Sequence, residues 1–288
     1  MINWPKSLIE ELAFKRTIIF IGSGLSASST NDEGDSPPTW KRLLENAAEE
    51  FLREESDKRL VNRLIRKELL LDAAEIVFDE VPQPERRRFF RTIFAEPRFN
   101  PSNYHSIIQR INPKITITTN YDQLYEQQCG ALVAGQGYAV RKYTDNKLLN
   151  DVRSKDNLII KAHGCITDTE DLILTRSDYF KIKRDHVQFY NVMDSLLTVN
   201  TVLFLGCSME DPDIQLVLEN TNIAAHSDHP HYAVLPAGRH PALKRAMENA
   251  YNIRVLEYEL DDGGGHSVLL DSLKSLNEDV VELIEKLV

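Results

Sequence analysis

Only three cysteines, Cys129, Cys165 and Cys207, occur in 288 residues, and they lie far apart. So sparse and odd a set fits a reducing compartment, and it leaves no CxxC pair and no four-cysteine zinc site within the chain. Glycine and proline number 12 each, too few for collagen-like, elastic or disordered classes. No run approaches the roughly 18 apolar residues of a membrane helix. The opening MINWPKSLIEELAFKR is charged too early and too often for a secretory signal. Positive charge is short as well: 34 Lys and Arg face 44 Asp and Glu, a formal charge of −10. A general nucleic-acid binder needs a basic face to replace counterions. These absences predict a cytoplasmic protein with no membrane span and no direct nucleic-acid binding.

What is present is ordinary for a globular chain, with 42% hydrophobic and 27% charged residues. A helical face over Lys6–Phe14 precedes the run Thr17–Ile21, which is continuous, β-branched and closed by Gly22-Ser-Gly24. Such a run reads as a strand buried on both faces. A polar loop, 31–38, follows. From Thr39 to about Phe94 the pattern is helical, with Trp40, Leu43, Leu44, Ala47 and Phe51 on one face and Pro82 and Pro84 as breaks. We read residues 39–100 as a helical insertion. Alternation then resumes: helix Asn103–Ile111, strand Lys114–Thr119, helix Tyr121–Cys129, strand Asn157–Ala162, and one long helix capped by Ser177 and running to about Thr198. Strand Thr201–Leu205, helix 211–220, strand His231–Leu235, helix 241–250, strand Ile253–Tyr258 and helix 267–287 complete it. This βαβ order predicts one α/β domain over 1–288, a mostly parallel sheet with helices on both faces.

Polar residues gather just past the apolar strands. Gly22-Ser23-Gly24 with Ser26 follows the first, Asn120 and Asp122 the second, His163 and Gly164 the third, and Gly206, Ser208, Asp211 and Asp213 a fourth. Open α/β sheets bind ligands outside the carboxyl ends of their strands, and a glycine turn there lets backbone amides approach a pyrophosphate. Each residue also has a plainer role. The glycines can form a tight turn; Asn120 can be a helix N-cap and Asp122 a first-turn acid. His163 can be satisfied by backbone, and Asp211 before Pro212 can open a helix. The acidic ribose reader expected about 20 residues past the glycine turn is missing, which disfavours an ordinary dehydrogenase. His226, His229 and His231 read as solvent-exposed rather than as a metal site. Arg86, Arg87 and Arg88 read as a solvated helix face, and Asp261–His266 as a loop before the last helix. Cys165 and Cys207 read as small packing residues beside the site.

Taken together, GSGLS (22–26), TTNYD (118–122), KAHG (161–164) and FLGCSMEDPDI (204–214) resemble the sirtuin superfamily, and more closely the sirtuin-like NADase domains of bacterial antiphage systems. PPTWKRLLE, LDAAEIV, HSIIQRI and LTRSDY are similar to that group as well. The resemblance implies a Rossmann-like domain that cleaves NAD+ to nicotinamide and ADP-ribose. It implies that Gly22, Ser23, Gly24 and Ser26 hold the diphosphate and nearby ribose, and that Asn120 and Asp122 line the nicotinamide-ribose end. His163 would be the general base, with Gly206 and Ser208 toward the adenosine. It further implies a gated effector, a homo-oligomer working with a HerA-type ATPase, an Argonaute-like protein or another sensor. The chain lacks the four-cysteine zinc module of deacylase-type sirtuins, so no metal is expected. NAD-dependent deacylation, ADP-ribosyl transfer and catalytically silent NAD or ADP-ribose binding remain the alternatives.

Overall fold

The computed structural model describes residues 1–133, 137–207, 209, 218 and 229–287. Thr17–Ile21 forms β1, buried at every position. Alternate residues serve opposite faces: Ile18 and Phe20 join one apolar cluster, Ile19 and Ile21 another. A strand covered on both sides is apolar on both faces, which is why period-two alternation of polarity is absent here. Thr201–Leu205, designated β5, repeats the arrangement, with Val202 and Phe204 on one side and Leu203 and Leu205 on the other.

The remaining strands are β2 (Ile115–Thr118), β3 (Tyr138–Lys142), β4 (Asn157–Lys161), β6 (His231–Pro236) and β7 (Ile253–Tyr258). All seven join one sheet in the order β3-β4-β2-β1-β5-β6-β7. Every pairing is parallel. The chain builds outward from β1 through β2, then crosses back to add β5 on the other side of β1. Loops on either side of such a crossing diverge and leave a crevice at the strand ends. The carboxyl ends of β2, β1 and β5 border it.

Helices α1 (Lys6–Ala13), α2 (Ser23–Ser26), α7 (Asn103–Ile111), α8 (Leu124–Gln128), α9 (Leu148–Val152), α10 (Arg176–Asp185), α11 (Val187–Val199), α12 (Pro241–Tyr251) and α13 (Ser267–Leu287) flank the sheet, while α3 (Trp40–Phe51), α4 (Glu55–Arg66), α5 (Leu70–Phe78) and α6 (Gln83–Phe94) come between α2 and α7. These four helices build a core of their own from Leu43, Leu44, Val61, Ile65, Val77, Phe78 and Phe90, joined by Tyr121, Leu172 and Leu174 from the sheet domain. Thr39 caps α3 through the amide of Arg42.

Several local expectations are corrected. The helical run after Phe51 is interrupted at Glu68, which adopts a left-handed φ of 60°, so α4 and α5 are separate. The long helix after β4 is capped two residues earlier than Ser177, by Thr175 in a capping box with Asp178. It breaks at His186 into α10 and α11. Strand β3 and helix α9 have no counterpart in the sequence reading. β3 is an edge strand, half-buried at every position, so it lacks an apolar signature. His231 is not exposed: it is buried, and its Nδ1 accepts the amide of Val202 at 3.1 Å. Arg86 is not wholly solvated, because Nε donates to Val81 O at 3.1 Å and the guanidinium also reaches Phe78 O. Helix 211–220 (apart from Leu218), Asp211, Asp213 and His226 lie outside the described residues. Among the described residues no helix is long and apolar enough to cross a membrane.

Candidate functional site

A cavity of about 440 Å³ opens at the strand ends beside β1, within the size range of small-molecule sites. Its wall includes Gly22, Ser23, Gly24, Ser26, Asn120, Asp122, His163 and Gly206. Ser208 lies outside the described residues. The opposite wall comes from α3, α5, α6 and α10 and the residue Glu68 before α5: Trp40, Lys41, Glu68, Leu71, Asp72, Phe94, Arg176 and Tyr179. Four sequence-distant strand ends and a helical cover therefore surround one space.

The glycines are explained by close backbone packing. Gly22 N donates to Leu205 O at 2.9 Å, and Gly24 N donates to Gly206 O at 3.0 Å. A Cβ on Gly22 would run into the Gly206 carbonyl, and one on Gly206 would stand 2.6 Å from Leu25 N at a φ of +68°. The turn after β1 is thus locked to the end of β5, a role beyond the expected phosphate cradle.

Asn120 is fixed by its neighbours. Its amide N–H donates to Thr118 Oγ1 at 3.0 Å. Nδ2 donates to Gly22 O at 3.1 Å and to Ser26 Oγ at 2.9 Å. Ser26 Oγ in turn donates to Asp122 Oδ2 at 2.7 Å. Both acceptors demand the NH2 end of the amide, so the orientation of the side chain is determined. Its Oδ1 is left buried without a partner among the described residues. Buried acceptors are normally satisfied, and this one is sealed from solvent in a residue that lines the cavity.

Asp122 is less available than the sequence implies. Besides Ser26, its Oδ1 accepts the amide of Leu124 at 3.0 Å, so the carboxylate caps the turn into α8. Asn120 is not that cap. His105 belongs to the same polar region: Ser102 N donates to its Nδ1 at 3.1 Å. Burial pushes its pKa down to about 4, against the opposing pull of the Asp122 charge.

His163 is buried. Its Nε2 lies 3.4 Å from Tyr179 Oη, and the two rings meet edge to face at 5.3 Å. Its carbonyl accepts the amide of Ile173 at 3.2 Å, while Tyr121 Oη donates to Ile173 O at 2.6 Å. The segment after β4 thereby ties His163 to the Asn120 turn.

Lys161 and Glu126 were not singled out in the sequence. Lys161 Nζ lies 2.8 Å from Glu126 Oε1, with both side chains essentially sealed from solvent, and it donates to the Asp122 carbonyl. Burial opposes the charge on Lys161, yet the Glu126 carboxylate holds its pKa above the usual value. Burial raises the pKa of Glu126 in spite of Lys161. A lysine at the end of an apolar strand, as in LIIKAHG, was the available signal. The Asp261–His266 loop sits away from the cavity wall: Asp261 accepts the amide and hydroxyl of Ser267 and so caps α13. Cys165 is buried and Cys207 half-buried. Among the described residues no group of three His, Cys, Asp or Glu side chains is placed to hold a metal ion.

Comparison with known proteins follows the same lines. The chain is 25% identical over 288 residues to "NAD(+) hydrolase ThsA" of Bacillus cereus, covering 98% of this chain and 56% of that protein. The protein of the same name from Acinetobacter baumannii is 24% identical, covering 97% of this chain and 55% of its own length. "Defense-associated sirtuin 2" of Bacillus subtilis is 24% identical over 231 residues, covering 76% of this chain and 20% of its own length. The chain thus spans about half the length, or less, of the relatives it matches. Residues 114–256 match the model of the SIR2-like domain, and this stretch, from the entry to β2 into β7, is a SIR2-like domain.

Proposed function

We propose that the chain binds NAD+ in this cavity and hydrolyses it to nicotinamide and ADP-ribose. The observation that carries the reading is the buried, unpartnered Oδ1 of Asn120 on the wall that also bears His163. Two relatives spanning nearly this whole chain are named as NAD(+) hydrolases.

In this reading the bond between C1′ of the ribose and the nicotinamide nitrogen breaks, and its electrons leave with neutral nicotinamide. The carbon passes through an oxocarbenium-like state, as in glycoside chemistry, and water supplies the new C–O bond. Asn120 Oδ1 accepts from that water or from a ribose hydroxyl, holding it in line. His163 accepts the water's proton and returns it to solvent. Ser26 and Asp122 hold Asn120 rather than touching the reacting carbon. Trp40 and Phe94 cover the cavity and restrict competing nucleophiles.

Consumption of a shared cofactor demands control, so we place the activity in a defence effector gated by self-assembly or by a protein partner. One relative is named for defence. The test is to incubate the chain with NAD+ and quantify nicotinamide and ADP-ribose, alone, with its co-purifying proteins and with an acetylated peptide. Equimolar products without peptide are expected. Release that requires the peptide, or NAD+ binding without products in every mixture, overturns the reading.

A further inference from the structure

The turn expected to cradle a diphosphate has already committed much of its donor capacity. Gly22 N and Gly24 N donate to Leu205 O and Gly206 O, and Leu25 N turns back onto Gly22 O at 3.0 Å. A dinucleotide carries two phosphate charges that need donors from elsewhere. The lysine and arginine side chains on the cavity wall among the described residues are Arg176 and Lys41. Arg176 is the first residue of α10; Lys41 is the second of α3. Each rests on an acid that also lines the cavity. Arg176 Nη2 lies 2.9 Å from Asp72 Oδ1, and Lys41 Nζ pairs with Glu68 Oε1.

The Arg176–Asp72 side chains are 48% and 44% exposed. Ion pairs that wet contribute little and exchange partners readily. A guanidinium fork on a phosphate is planar, bidentate and charge-assisted, and becomes stronger as a ligand excludes water. Asp72 and Glu68 thus act as place-holders that keep two cations on the wall until an anion of matching charge arrives.

We propose that Arg176, supported by Lys41, binds the diphosphate of the dinucleotide by exchanging Asp72 for it. This rests on the reading of the cavity as an NAD+ site and adds a residue to it. The exchange reaches further, because Arg176–Asp72 ties α10 to α5. A second tie is Glu75, which accepts Ser177 N at 3.0 Å and Ser177 Oγ at 2.5 Å and stays in place. Substrate entry therefore loosens the insertion from α10 without freeing it.

The experiment is titration calorimetry of the full chain with ADP-ribose, for wild type, Arg176→Gln and Asp72→Asn, with the melting temperature of each free protein recorded. Arg176→Gln weakens binding at least tenfold. Asp72→Asn tightens it about two- to threefold, because the competing acid is gone; a merely damaged cavity would not bind better. Wild-type affinity in Arg176→Gln overturns the proposal. Failure of Asp72→Asn to tighten overturns the exchange. Wild type that binds neither ADP-ribose nor NAD+ overturns the functional reading itself, a separable result.

Discussion

Asn120 and Ser26, 94 residues apart in the chain, meet with Nδ2 and Oγ 2.9 Å from each other. That contact, with the one to Gly22 O, fixes which end of the Asn120 amide is Oδ1. If Oδ1 handles the water or ribose, Asn120→Ala abolishes NAD+ turnover, with a loss of about 100-fold or more. Ser26→Ala keeps the amide but removes the group that holds it. A hydrogen bond worth about 1 kcal/mol corresponds to roughly a five- to tenfold fall, expected in kcat with KM little changed. Steady-state kinetics on folded variants checks both, and wild-type kcat in Ser26→Ala removes the relay from the mechanism.

His163 and Tyr179 make the second case. A general base contributes about 100-fold or more, so His163→Ala loses at least that while remaining folded. Tyr179→Phe keeps the edge-to-face ring contact at 5.3 Å and deletes the hydroxyl beside Nε2. It should cut kcat about tenfold and displace the acidic limb of the pH–rate profile, because the hydroxyl influences which imidazole nitrogen carries the proton. A profile identical to wild type assigns Tyr179 to packing alone.

The sheet was readable where burial is complete. After an opening threonine, Thr17–Ile21 and Thr201–Leu205 are apolar throughout because both faces are covered, and glycine closes each. That Asn120 and His163 stand at one rim was readable for a related reason, since each lies just past the carboxyl end of such a strand. Strand β3 was not readable, because Tyr138–Lys142 is half-buried at the sheet edge and leaves no pattern. The Lys161–Glu126 pair was invisible because its partners are 35 positions apart in the sequence and meet only after folding. The His231 misreading has the same origin: HSDHPH looks like a wet loop, yet its last histidine begins a central strand.

That buried pair carries its own expectation. Removing one partner of a sealed ion pair costs about 3–5 kcal/mol because the other charge is stranded. Lys161→Met therefore lowers stability by about that amount in denaturant unfolding and loosens the Asp122 carbonyl it holds. Lys161→Met with Glu126→Leu restores much of the stability, since no charge is left alone. NAD+ turnover stays depressed in the double variant, because the Asp122 turn still lacks its anchor. A double variant no more stable than the single one contradicts this account.

Acid sensitivity follows from two histidines. Burial lowers His231 from 6.5 to about 4, and burial lowers His105 to about 4 against the opposing Asp122 charge. Between about pH 6.5 and 4 the unfolded chain binds a proton at each of these sites while the folded chain does not, so stability rises with pH across that window. On acidification the loss begins near pH 6.5 and levels off near pH 4. A fall from 6.5 to about 4 corresponds to roughly 3 kcal/mol per histidine at most. Thermal unfolding from pH 7.5 to 4.5 should show a falling midpoint. His231→Gln should flatten that slope by about half, even where it costs some stability at neutral pH through the Val202 amide it leaves imperfectly satisfied. An unchanged slope would mean that His231 already takes up its proton in the folded protein, and that its burial does not control the acid response.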